Sequence, residues 1–416
     1  MNSACIRGKW GQGEPTPERP VRPGSGKVND MADEHSSGAL SGIVVADFGR
    51  VLAAPYATML LADLGAEVIK VERPGTGDDT RAWGPPFADG AATYYLSVNR
   101  NKKSVTLDLR DPADLRYARE LVRRADVLFE NFRPGTMAKY GLDYPRAREL
   151  NPRLVYCSVS AFGPGAGADR PGYDLLVQAV GGLMSVTGPE PGAPTKTGVA
   201  LVDVLAGLHA TVGVLAALRE RDRTGAGQLV EVNLLSSLLS GMVNQSAGYA
   251  LAGVVPGILG NRHPSIAPYQ VFDTADRPLA LAVGNDGQFA ALCRALGVAE
   301  LATDDRFADN TSRVRYADEL ADRLGAILVT RPAAHWDALL TPLGVPCGPV
   351  NDLAGAFELA DRLGLGPRAK VESDPAVSVV ADPITLSRNP IRYRSRPPLL
   401  GADSADVRAW LDGPAR

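Results

Sequence analysis

Cysteine is scarce, with four in 416 residues at Cys5, Cys157, Cys293 and Cys347 and no CxxC pair among them. That spacing excludes a disulfide framework and fits a reducing compartment, so a cytoplasmic location is expected. Histidine is equally scarce. His35, His209, His263 and His335 stand apart from one another and from cysteine. No metal-ligand spacing results, and no metal is expected. His209 lies inside an apolar helical pattern and reads as a core histidine, whereas His263 lies in a loop and could touch a ligand. Positive charge is not in excess: 44 Lys and Arg face 47 Asp and Glu, a net charge of −3. No basic face for nucleic acid or anionic lipid is implied. No apolar run reaches the ~18 residues a membrane span needs. The GxSxG elbow, the P-loop and HExxH are all missing. The glycine-rich stretch 162–167 does not match GxGxxG and lacks the acid spacing of a dinucleotide site. There is no internal repeat.

What remains is ordinary globular sequence, 45% hydrophobic and 22% charged. The length suggests two or three domains at about 100–200 residues each. The first 38 residues differ. Pro15, Pro17, Pro20 and Pro23 fall there without an apolar run. The segment cannot bury enough surface to fold and lacks a signal-peptide core, so it reads as a disordered extension, with Met31 as an alternative start. From about 40 onward, β-rich runs alternate with helical patterns: strands near 42–48, 66–71, 104–109, 126–129 and 154–159, and helices over 53–64 and from Pro112 to about 124. Asp111-Pro112 places proline at a first helical position. Such alternation predicts a mostly parallel sheet with helices on both faces. A long helix over 200–222 ends at Thr224-Gly225, where a first domain boundary is drawn. A strand at 228–232, a long helix over 234–251 and a strand pair at 269–272 and 279–283 follow. The region 286–344 is mostly helical, and a last helix covers 404–411.

In parallel sheets ligands bind beyond the C-terminal strand ends. The loops holding Arg50-Val51-Leu52, Glu72-Arg73-Pro74, Glu130-Asn131-Phe132 and Ser160-Ala161-Phe162 therefore share one rim. Arg73, Arg81, Lys102 and Lys103 near strand ends suit a phosphate-bearing ligand, although each alone is more often a solvated charge. Asp174 follows the turn Arg170-Pro171-Gly172 at a loop-to-helix junction. It is either a helix N-cap or a nucleophile.

The order of motifs resembles family III CoA-transferases, the group that includes formyl-CoA and carnitine CoA-transferases and the α-methylacyl-CoA racemases. The residues carrying the resemblance run from Leu40-Ser41-Gly42 through Leu64-Gly65-Ala66-Glu67-Val68, Asn101-Lys102-Lys103, Glu130-Asn131-Phe132-Arg133-Pro134-Gly135, Arg170-Pro171-Gly172-Tyr173-Asp174 and Gly260-Asn261-Arg262-His263-Pro264 to Gly344-Val345-Pro346-Cys347-Gly348. The resemblance implies an α/β fold with a Rossmann-like large domain (39–225, rejoined by 331–416) and a smaller α+β domain (226–330). It further implies two chains interlocked as a homodimer, with the site between the large domain of one and the small domain of the other.

Asp174 matches the family's catalytic aspartate. It would attack an acyl-CoA thioester to give a mixed anhydride and then an aspartyl-CoA thioester, from which CoA passes to a carboxylic acid. Coenzyme A is then a substrate, and no further cofactor is implied. Backbone N–H groups near Gly260 could hold the oxyanion. By the same match Arg73, Leu107, Asn131, Phe132 and Lys139 contact CoA, and Val51 and Leu52 lie beside the thioester. Leu52 stands where a formyl/oxalate enzyme has glutamine, which implies a larger or more apolar acyl group. Ser160 stands where the family has a lysine. The alternative is an α-methylacyl-CoA racemase or another isomerase, in which Asp203 would be the second acid. Tyr173 replaces the histidine such an enzyme uses as a base and argues against that reading. A CoA-binding protein without activity is the third possibility.

Overall fold

The computed structural model describes residues 38–414. The extension expected over 1–38 lies almost wholly outside them. Six strands form one parallel sheet: β1 (Val44–Asp47), β2 (Glu67–Glu72), β3 (Lys102–Thr106), β4 (Val127–Glu130), β5 (Val155–Ser160) and β6 (Leu229–Asn233). Their order is β3-β2-β1-β4-β5-β6, with every pairing parallel. The order reverses between β1 and β4, which opens a crevice beyond their C-terminal ends.

Both faces of the sheet are covered, so its strands read as apolar runs. On one face α1 (Ala53–Asp63) and α5 (Leu201–Thr224) pack against Val45, Phe129 and Cys157. On the other, α2 (Pro112–Arg124), α3 (Tyr144–Leu150) and α11 (Ser404–Asp412) pack against Ala46, Leu128 and Tyr156. The α2 start is as expected: the Asp111 side chain accepts from Ala113 N–H at 2.7 Å, with Pro112 beside it. Arg124 closes the far end of α11 by donating to Trp410 O at 2.6 Å and Gly413 O at 2.7 Å.

α5 corrects two expectations. Its 24 residues contain an 18-residue window of mean hydropathy 1.9, long and apolar enough by composition to cross a membrane. Here it is a core helix: Val202, Ala206, Ala210, Val214 and Leu218 are buried against the sheet. His209 is not a core residue. It is exposed, next to exposed Leu208 and Val212. The helix expected over 234–251 is two, α6 (Leu234–Gly241) and α7 (Val243–Ala252), parted where Val243 takes a positive φ of 39°.

The boundary drawn at 225 precedes the last strand of the large sheet, since β6 pairs with β5. A smaller antiparallel sheet, β7 (Tyr269–Phe272), β8 (Leu279–Ala282) and β9 (Cys347–Pro349), has its own core. Phe272, Leu281, Phe289 and Leu292 meet Leu324 and Trp336 there, drawn from α8 (Asp286–Ala295), α9 (Ala317–Leu328) and α10 (Ala333–Leu340).

Candidate active site

Asp174 is the first residue of α4 (Asp174–Val180), and Tyr173 holds the N-cap position with no side-chain bond. The aspartate therefore does not cap its own helix. Its Oδ1 accepts from Val202 N–H at 2.8 Å and Asp203 N–H at 3.3 Å, in the first turn of α5. Ala200, the N-cap residue of α5, has no side chain to offer there. Asp174 thus caps a neighbouring 24-residue helix. Its Oδ2 accepts from Gln178 Nε2 at 2.6 Å. Gln178 is fully buried and fixed in turn by Thr197 N–H at 2.9 Å. Sequence reasoning passed over Gln178; the signal was its i, i+4 spacing from Asp174 on a helix. The approach to Asp174 is close-packed. A Cβ on Gly172 would lie 2.1 Å from that of Ala161.

Asp203 completes a pair of carboxyl groups. Loss of water around its half-buried side chain, with the Asp174 carboxylate second, pushes it up to about 7. Near neutral pH both forms of Asp203 are then populated.

A cavity of about 210 Å³ lies over the ends of β1, β4 and β5. Val51, Leu52, Asn131, Phe132, Tyr173 and Asp203 line it, together with Ser160 and three arginines, Arg50, Arg133 and Arg170. A second cavity of about 400 Å³ lies over β2 and β3 and is lined by Arg73, Leu107 and Tyr140. Arg50 and Phe132 border both cavities, with the guanidinium 5.0 Å above the ring. Six of the seven expected CoA contacts thus fall on two adjoining cavities. Lys139 lines neither; it is exposed on the turn Met137–Tyr140. Asn131 also holds the loop after β1. Its side chain accepts from Arg50 N–H at 2.8 Å and donates to Arg50 O at 2.7 Å.

The other candidate cations are paired with carboxylates of the protein, and Lys102 and Lys103 start β3, at the edge of the sheet away from these cavities. Arg81 holds Glu72 at 2.8 and 2.7 Å, and Lys102 is buried on Asp47 at 3.1 Å. Lys103 pairs with Glu67 at 2.7 Å. The Gly260 loop lies apart from Asp174 in this chain. It borders a separate cavity with Glu190 and Gln270. Arg262 pairs there with Asp318, and His263 Nδ1 accepts from Ser265 N–H at 3.0 Å.

Residues 40–404 match CoA-transferase family III. The chain belongs to that family. Among its relatives, the succinate–glutarate CoA-transferase of Agrobacterium fabrum is 43% identical over 387 residues, covering 90% of this chain and 96% of that protein. The succinyl-CoA:glutarate CoA-transferase of Mus musculus is 40% identical, covering 91% and 87%. A CaiB/BaiF family protein from Brucella suis has a solved structure that superposes with a TM-score of 0.81 at 40% identity, covering 90% of this chain and all of that one. As a family III CoA-transferase, the protein transfers CoA between an acyl-CoA and a carboxylic acid.

Proposed function

We propose that the protein moves CoA between two dicarboxylic acids, of the succinyl and glutaryl size, with Asp174 as the nucleophile. The observation that carries the reading is a carboxylate held by two backbone N–H groups and Gln178, next to Tyr173 and Asp203, which line a cavity that also holds Arg50, Arg133 and Arg170. Asp174 attacks the thioester carbonyl. The C–S bond breaks and CoA leaves as the thiolate. The thiolate then attacks the aspartyl carbonyl of the anhydride and releases the first acid as its carboxylate. The acceptor carboxylate repeats these two exchanges in reverse order and departs as the new acyl-CoA, leaving Asp174 free. Each step trades acyl groups of similar activation, so the scheme is written without metal or further cofactor.

The dicarboxylate preference is supported by the names of the two relatives and by the cavity wall. Among the described residues, no carboxylate forms an ion pair with Arg133 or Arg170. A charge at the far end of an acid would find partners there. The homodimer reading is supported by exposed apolar side chains, among them Leu208 and Val212 on α5 and Tyr249 and Leu251 on α7. A second copy would cover them and could bring its Gly260 loop to Asp174. The free thiols of Cys157, Cys293 and Cys347 support a cytoplasmic location.

The test is a transfer assay with succinyl-CoA and a set of acceptors. Glutarate and similar diacids should react at least tenfold faster, in kcat/KM, than monocarboxylates of equal length, and Asp174→Ala should abolish the reaction. Equal rates for both acceptor classes would remove the dicarboxylate reading. Exchange of the α-proton without CoA transfer would point to the isomerase instead.

A further inference from the structure

The loop after β1 is held in a conformation its sequence does not favour. Val51 has φ of 67°. A β-branched residue in the left-handed region is a strained outlier that persists only where its surroundings over-determine it. Three side chains do so here, each from a different strand or loop. Lys70 on β2 donates to Gly49 O at 2.8 Å. Asn131, after β4, takes both backbone groups of Arg50. Asp78 accepts from Val51 N–H at 3.2 Å. Lys70 and Asp78 form an ion pair at 2.9 Å with neither side chain exposed. Gly49 leaves no slack, since a Cβ there would meet Ala54 at 2.5 Å and Asp47 Oδ1 at 2.8 Å. A fully buried ion pair is a poor source of net stability, because removing both charges from water offsets their attraction. Its use is to fix geometry.

The held loop is coupled to Asp174 by contact. Val51 and Leu52 pack in one apolar cluster with Tyr94 and Ala200. Ala200 is the N-cap residue of α5, the helix whose next amides hold the Asp174 carboxylate.

We propose that the Lys70–Asp78 ion pair and Asn131 form a positioning clamp across the switch point of the sheet, which holds Val51 strained so that Leu52 and Arg50 shape the end of the cavity that Tyr173 and Asp203, the neighbours of Asp174, also line. None of the three touches the reacting atoms. They act through the backbone of residues 49–51. The inference rests on the reading of Asp174 as the nucleophile in this cavity.

The test is a kinetic double-mutant cycle on the full-length protein, with Asp78→Asn, Val51→Gly and the double variant. Losing the clamp lets Val51 relax, so D78N should lower kcat about ten- to a hundredfold, while KM for the acyl-CoA changes less than about threefold. Glycine takes positive φ without strain. In the V51G background the same D78N change should therefore cost less than about threefold in kcat. A structural role alone would lower both backgrounds alike, and that equal loss would overturn the clamp, as would D78N with unchanged kcat. Should D78N fail to fold, Asn131→Asp serves in its place. It keeps the acceptor for Arg50 N–H and loses the donor to Arg50 O, and the same rescue by V51G is expected. The acyl or CoA adduct on Asp174 is measured in parallel on the unaltered protein. If that adduct is missing, the nucleophile reading fails. If it forms while the cycle shows no coupling, only the clamp fails.

Discussion

Replacing Asp203 by asparagine should stabilise the protein near neutral pH, by an amount that depends on pH. The Asp203 carboxyl is raised from 3.8 to about 7, first by burial and then by Asp174. That rise is about three units, and each unit corresponds to about 1.4 kcal/mol, so about 4 kcal/mol is the ceiling. The side chain keeps partial contact with water, which lowers the effect to about 2 kcal/mol. The sign follows from proton linkage. Between about pH 4 and 7 the folded protein holds a proton that the unfolded chain has lost, so stability falls as pH rises through that window. Asparagine carries no such proton and no repulsion toward Asp174. The advantage of D203N should be near zero at about pH 4, grow up to about pH 7 and stay level above it. Urea unfolding followed by tryptophan fluorescence, in half-unit steps of pH, measures this directly. A constant offset across the range would refute the reasoning, as would a D203N variant that loses ground as pH rises.

Three further outcomes are expected. Gln178→Leu keeps the bulk and removes the 2.6 Å bond to Asp174; it should destabilise the fold by about 1–3 kcal/mol in a denaturant titration and lower kcat more than it raises KM. Gly172→Ala has no room against Ala161; it should displace the Asp174 turn and reduce kcat/KM at least tenfold, with little change in the affinity of free CoA measured by calorimetry. Val212→Asp charges the exposed stripe on α5; sedimentation velocity should show dimer dissociation, and activity should fall with it. A monomeric wild-type protein with full activity would contradict the dimer reading.

Local features of the fold were legible in the sequence where local rules decide them. Asp111-Pro112 announced α2, alternating strands and helices announced a parallel sheet, and strand-end loops announced the rim. Features decided by distant partners were not. The Asn131 amide has a second role that nothing near it reveals, since Arg50, 81 positions away, takes both ends of it. Asp174 was weighed as a cap for the helix it starts; it caps α5 instead, because the fold brings the bare N-terminus at Ala200 beside it. His209 was taken for a core residue because its apolar neighbours, Leu208 and Val212, are themselves exposed in this chain. The split between α6 and α7 depends on the backbone at Val243, which no apolar spacing encodes. Arg81, Lys102 and Lys103 looked available to a ligand, and only packing shows each one spent on a carboxylate of the protein.

The central claim is that the Asp174 carboxylate becomes covalently bonded during turnover. It is tested most directly by incubating the protein with succinyl-CoA, quenching with hydroxylamine and mapping the product by peptide mass spectrometry. The account predicts a hydroxamate on Asp174 that appears only with the acyl-CoA and disappears in Asp174→Ala. An unmodified Asp174 in protein that is still transferring CoA would contradict it.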